Sequence, residues 1–103
     1  MLLIREVFHC KPGKVRALVE KFSAMAKLME EAGQGKSRTM TDFCGERYWT
    51  VVTEFEVPSM QAFDEMMQGT GMTPELNKKF EAIMQGYHDL IDHGHREIFR
   101  IEG

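Results

Sequence analysis

The segment Leu2–Cys10, reading LLIREVFHC, has the composition of a β-strand and is partly apolar on both of its faces. Side chains alternate across a strand with period two. Leu2, Ile4, Glu6, Phe8 and Cys10 therefore share one side, and Leu3, Arg5, Val7 and His9 share the other. A strand with one solvated face alternates more cleanly between apolar and polar residues. This one is expected to meet protein or ligand on both faces, so something has to pack on each side of its sheet. Lys11-Pro12-Gly13 ends it, because proline and glycine break a strand and start a turn.

The first cover follows at once. From Lys14 to Glu31, Val15, Leu18, Val19, Phe22, Met25, Ala26 and Met29 recur at helical spacing and form one apolar stripe. Pro12 suits the start of this helix, and Gly33 suits a left-handed C-terminal cap. Lys36–Phe43 and Arg47–Glu56 read as two strands joined by a short hairpin loop at Cys44-Gly45-Glu46. In the second of them Trp49, Val51, Thr53 and Phe55 share the more apolar face, which is expected to pack on helices. Tyr48, Thr50, Val52 and Glu54 share the other.

Ser59 is placed as the N-cap of the next helix, whose buried side carries Phe63, Met66 and Met67. Gln68-Gly69-Thr70-Gly71 interrupts it, and Thr73-Pro74 restarts it as cap and first turn. Leu76, Phe80, Ile83, Met84, Tyr87 and Ile91 continue the stripe, with Gly94 expected to end it. Arg96–Glu102 is then a short last strand.

The order β-α-β-β-α-β predicts one α+β domain over residues 1–103, with a ferredoxin-like four-stranded antiparallel sheet and the helices on one face. The opposite face is expected to keep Phe8, Tyr48, Val52 and Ile98, too apolar to leave wet. A second copy of the chain, sheet against sheet, is the simplest cover, giving a homodimer. A net charge of −3, with the basic residues scattered, argues against nucleic acid or an anionic membrane as partner. No apolar run approaches the length of a membrane span, and Met1-Leu2-Leu3-Ile4 is too short for a signal sequence. A cytoplasmic location is expected. Cys10 and Cys44 lack metal or redox spacing and are expected as free, partly buried thiols.

Ile4-Arg5-Glu6-Val7-Phe8-His9-Cys10-Lys11-Pro12-Gly13-Lys14, running into an amphipathic helix, resembles the opening of dimeric α+β barrel proteins, which include the NIPSNAP-like proteins and the antibiotic-biosynthesis-type monooxygenases. The resemblance extends loosely over the whole chain through its element order. It implies a homodimer with facing sheets and a cavity, between sheet and helices or within the barrel, for a small organic molecule. NIPSNAP-like openings often carry Arg and Tyr where this chain has Glu6 and Phe8. The superfamily spans cofactor-free oxygenases, haem-degrading enzymes, isomerases and proteins of no known activity, so fold alone does not select a reaction.

His9 suits acid–base work, since imidazole titrates near neutrality. Glu6, Tyr48 and Glu54 fall on the faces assigned to the barrel interior. A carboxylate there is either an unpaired group of raised pKa or half of a salt bridge to Arg38, Arg96 or Arg100. The candidate catalytic set is therefore His9, Tyr48 and Glu54. The candidate substrate-binding set is Glu6, Phe8, Trp49, Met66 and Met67, within a chain whose nine methionines can line an adaptable cavity.

His88 and His93, five apart, do not share a helix face, and only an early helix end would bring His93 and His95 together with His88, so no metal is assigned; no phosphate-binding glycine loop is present. No cofactor is assigned. Two functional readings stay open: a monooxygenase-like enzyme acting on a small hydrophobic molecule without a cofactor, and a non-catalytic ligand-binding or accessory homodimer. A haem role ranks below both and would need His9, His88 or His95 as an axial ligand.

Overall fold

The computed structural model describes residues 1–103. Its elements are β1 (Leu2–Cys10), α1 (Val15–Glu31), β2 (Ser37–Thr41), β3 (Thr50–Val57), α2 (Met60–Met67), α3 (Pro74–Met84) and β4 (Ile91–Arg100), with a 3-10 turn at Tyr87–Leu90 before the last strand. The strands form one antiparallel sheet in the order β2-β3-β1-β4. β1 lies between β3 and β4, and the fold is ferredoxin-like α+β.

Local sequence chemistry accounts for most boundaries. Ser59 Oγ accepts from Ala62 N (3.1 Å) and Thr73 Oγ1 from Leu76 N (3.1 Å), each satisfying an otherwise free helix-end amide. After α1 the chain turns at Gly33, whose φ of 77° lies in the left-handed region that side chains disfavour.

Two expectations are corrected. The apolar stripe of α3 stops at Met84 rather than running through Ile91, because Gly86 turns left-handed at φ 79°. Lys21 of α1 then donates to the carbonyls of Ile83 (3.1 Å) and Gln85 (2.8 Å), taking up acceptors left over at the end of α3. Ile91 therefore opens β4, which begins five residues before the expected Arg96. Gly94 is not a helix terminator but a mid-strand residue opposite Phe8. A Cβ on Gly94 would stand 2.7 Å from the Val7 carbonyl oxygen, so only glycine fits this close approach.

The hairpin connection is also longer than expected. It runs from Asp42 to Trp49, closed by Thr50 N donating to Asp42 Oδ1 (2.8 Å) and Asp42 N donating to Thr50 O (3.2 Å). Trp49 sits at φ 61°, which ends the strand alternation at Thr50.

That break re-sorts the faces. Residues directly opposite in an antiparallel pair share a face. Ile4 opposes Phe55 and Ile98, and Phe8 opposes Val51 and Gly94, so Phe8 and Ile98 belong under the helices rather than on the open side. Tyr48 lies in the loop on neither face, and of the four residues expected on the open side only Val52 is there. Under the helices, Cys10, Leu18, Phe22 and Val51 form one buried cluster, and Ile4, Val57 and Phe63 a second. No helix is long and apolar enough to cross a membrane.

Candidate functional site

Between sheet and helices lies a cavity of about 390 Å³. Strands β1 and β3 contribute Glu6, Phe8, Thr53 and Phe55 to its floor, because all four belong to the helix-facing side of the sheet. Methionines from α1, α2 and α3 form the roof, among them Met25, Met66 and Met84. Unbranched thioethers adapt to irregular guests, so this wall can fit more than one apolar shape. Of the expected substrate-binding residues, Glu6, Phe8, Met66 and Met67 all meet here. Trp49 does not; it is partly exposed on the hairpin loop, where its carbonyl accepts from Cys10 N (2.8 Å).

The polar edge of the cavity is a cross-strand ion pair. Glu6 on β1 opposes Arg96 on β4, and Arg96 Nε donates to Glu6 Oε1 (2.5 Å). The guanidinium carbon also stands 5.0 Å from the centre of the Phe63 ring, and Nη2 lies 3.9 Å from the Met67 sulfur. Arg96 is thus held by charge, ring and thioether together. Its place at the cavity was not read from sequence, where Arg96 stood only as one candidate salt-bridge partner on a strand thought to begin with it. The period-two register with Glu6 is the signal that finds it, once β4 is extended back to Ile91.

The expected catalytic residues are not brought together. Tyr48 is 85% exposed in the loop. Glu54 faces away from the cavity, on the open side of the sheet, and is only 5% exposed. Arg38 Nη2 (2.6 Å) and Nε (2.9 Å) donate to its Oε1, and Arg5 Nη1 (3.3 Å) donates to Oε2. Both Glu6 and Glu54 are therefore halves of ion pairs, as the salt-bridge reading of these carboxylates expects.

His9 also lies on the open side, opposite Thr50, four residues along the ladder from Glu54 and so about 13 Å away. Burial, followed by the charges of His93, Arg47 and His95, holds the His9 pKa below the ordinary imidazole range, against a smaller opposing effect of Glu46. The neutral ring is favoured. His93 sits on β4 instead of a helix, His95 follows it on the same strand, and both gather beside His9, whereas His88 stays in the 3-10 turn against Tyr87. Both cysteines are free; Cys10 is buried and Cys44 is exposed, so only one of the two thiols is covered.

No protein-family model and no curated protein sequence matches this chain. Solved structures do resemble it. An uncharacterized NIPSNAP domain protein from Burkholderia xenovorans superposes with a TM-score of 0.77 at 12% identity, over 99% of this chain and 95% of that one. A NIPSNAP family protein from Agrobacterium tumefaciens also gives a TM-score of 0.77, at 10% identity over 96% and 90% of the two chains. Another from the same organism, described as of unknown function, gives 0.75 at 13% identity, over 96% and 86%. The fold is NIPSNAP-like. At such identities the likeness extends to the fold and no further.

Proposed function

We propose that this protein binds a small, largely apolar organic molecule in the cavity between its sheet and helices, without turning it over. The observation that carries this reading is the cavity itself: a methionine and phenylalanine wall with one oriented ion pair, Glu6–Arg96, at its polar edge. Binding sites for small molecules combine an apolar lining with a few fixed polar groups in this way. The catalytic alternative needs a base and its partner within reach of one bound atom. His9, Tyr48 and Glu54 are spread over the open face and a loop, which favours binding over turnover.

The binding reading is tested with 1-anilinonaphthalene-8-sulfonate as a fluorescent probe of the cavity. Wild-type protein is expected to enhance its emission saturably. Met66→Trp, which fills the cavity from α2, should remove that signal while far-UV circular dichroism stays unchanged. Equal enhancement by folded Met66→Trp protein would place the probe elsewhere and overturn the reading.

We further propose that the open face of the sheet is covered by a second copy of the chain. Leu3 with Phe99, and Val7 with Val52, form two apolar rows there, with a row of both signs of charge, Arg38, Glu54, Arg5 and Glu97, running between them. Such a surface can meet itself about a two-fold axis. Light scattering should give twice the chain mass, and Val52→Lys should give a folded monomer; a wild-type monomer at all concentrations would overturn this proposal.

A further inference from the structure

Three of the four histidines stand at one end of the open sheet face. His9 on β1 is directly opposite His93 on β4, and His95, two residues further along β4, points to the same side. We propose that His9, His93 and His95 bind one divalent transition-metal ion of the zinc class. A His-x-His pair on one strand, with a third histidine on the neighbouring strand, presents three imidazoles to a single point above the sheet.

The spacing fits. Three imidazoles on a tetrahedral zinc ion, each with a metal–nitrogen bond of about 2 Å, have ring centres about 5 Å apart. Here the ring of His9 lies 4.6 Å from that of His93 and 6.3 Å from that of His95, values on either side of that separation.

The surroundings of the rings fit as well. A histidine that binds metal through one nitrogen usually gives the other to an oxygen, which fixes the ring. His9 Nδ1 faces Thr50 Oγ1 (3.3 Å), His93 Nδ1 faces Asp92 Oδ2 (3.4 Å) and His95 Nε2 faces Glu97 Oε2 (3.2 Å). The opposite nitrogens, His9 Nε2, His93 Nε2 and His95 Nδ1, are those left for a metal. One of them already has a cationic neighbour, because Arg47 Nη1 lies 3.2 Å from His93 Nε2. Arg47 reaches in from the exposed hairpin loop, where a guanidinium can be displaced.

As they stand, no three His, Cys, Asp or Glu side chains close on a common point. Closure needs His93 and His95, both half-exposed, to move toward His9 together with the carboxylates that face them, and withdrawal of Arg47. All three ligands belong to one chain, so the site does not depend on the dimer or on the cavity. Three nitrogens leave a fourth tetrahedral position for water or a ligand atom.

The test is calorimetric titration of the chelator-treated full chain with zinc chloride at pH 7.5, paired with native mass spectrometry. One zinc ion per chain is expected. His9→Ala and His95→Ala should each weaken binding by about 10-fold or more, with circular dichroism showing both variants folded. His88→Ala, outside the cluster, should bind as wild type. Absence of zinc binding by the wild type would overturn the proposal. So would unchanged affinity in folded His9→Ala and His95→Ala proteins, which would move the metal to Cys44 or another surface donor.

Discussion

The two faces of the sheet are built from the same strands and do opposite things with charge. On the helix-covered face the floor is apolar, and one ion pair, Glu6–Arg96, stands at the edge of a cavity. On the open face charge dominates: Glu54 is held by two arginines, Arg5 also reaches Glu97 (3.5 Å), and three histidines gather at one end. The helix-covered face owes its cohesion to packing, which has no substitute when a side chain is removed. The open face relies on ion pairs whose strength depends on what covers them. A single period-two pattern therefore encodes two surfaces with different sensitivities.

The largest contrast between covered and uncovered positions is one of reactivity. The thiolate is the reactive form of cysteine. Burial under the helices pushes the Cys10 thiol up from its ordinary pKa and so keeps it protonated at neutral pH, while Cys44 is exposed in the hairpin loop. Timed alkylation with iodoacetamide, read by mass spectrometry, should modify Cys44 rapidly and Cys10 only once denaturant unfolds the chain. Equal labelling of both in native protein would show that α1 does not cover the end of β1.

Among stability effects, Phe22→Ala should be the largest. Phe22 is almost fully buried, and its ring packs 5.0 Å from that of Phe8. Truncating a buried phenylalanine costs about 3–5 kcal/mol, which is a large part of the stability of a domain this size. Urea denaturation should show that loss; a cost near 1 kcal/mol would mean that the cavity wall collapses to fill the space.

Glu54→Gln probes the other face. If the sheet is covered by a second copy, the two arginines are left facing an uncharged partner in a dry environment, and the cost should approach about 3 kcal/mol. With that face wet, Arg38 and Arg5 hydrate instead and the loss falls to about 1 kcal/mol or less. The dimer predicts the first outcome together with a concentration-dependent midpoint. A small, concentration-independent change would leave the open face without its partner.

The helix stripes and caps were legible because they are local. Ser59 and Thr73 act over three residues, and Leu18 and Phe22 share a face whatever the rest of the chain does. The sheet faces were legible only as far as the alternation held. One left-handed residue, Trp49, ended β3 early, put Tyr48 out of the sheet and left Glu54 as the only predicted catalytic group on that strand. The His9–His93–His95 group was hidden by the apparent continuation of the α3 stripe through Tyr87 and Ile91, which placed His93 on a helix and left His95 between that helix and the last strand. Met66 and Met67 were found because helix spacing turns them inward, whereas Glu6 and Phe8 were grouped by strand parity but assigned to the open side, and only their register with Thr53 and Val51 brings all four into one set. Trp49 was lost from it for the reason that Tyr48 was.

Gly94 is where β4 passes closest to β1, and its replacement is a smaller stability effect than Phe22→Ala with a more specific cause. An added methyl group would meet the Val7 carbonyl oxygen at 2.7 Å and the Phe8 ring at 3.3 Å. A backbone oxygen cannot step aside as a side chain can, so β4 would have to shift away from β1. Gly94→Ala should therefore cost about 2 kcal/mol, within the range for forced overpacking. Gly86→Ala is the matched control, because a methyl group there meets nothing within 4 Å and the strain comes only from a φ of 79°, about 1 kcal/mol. The two should also differ in where the effect appears. Hydrogen exchange in Gly94→Ala protein should accelerate along the β1–β4 ladder and spare β2–β3, whereas Gly86→Ala should loosen only the end of α3. Uniform acceleration in both variants would mean that the sheet opens as one unit and that Gly94 has no special place in it.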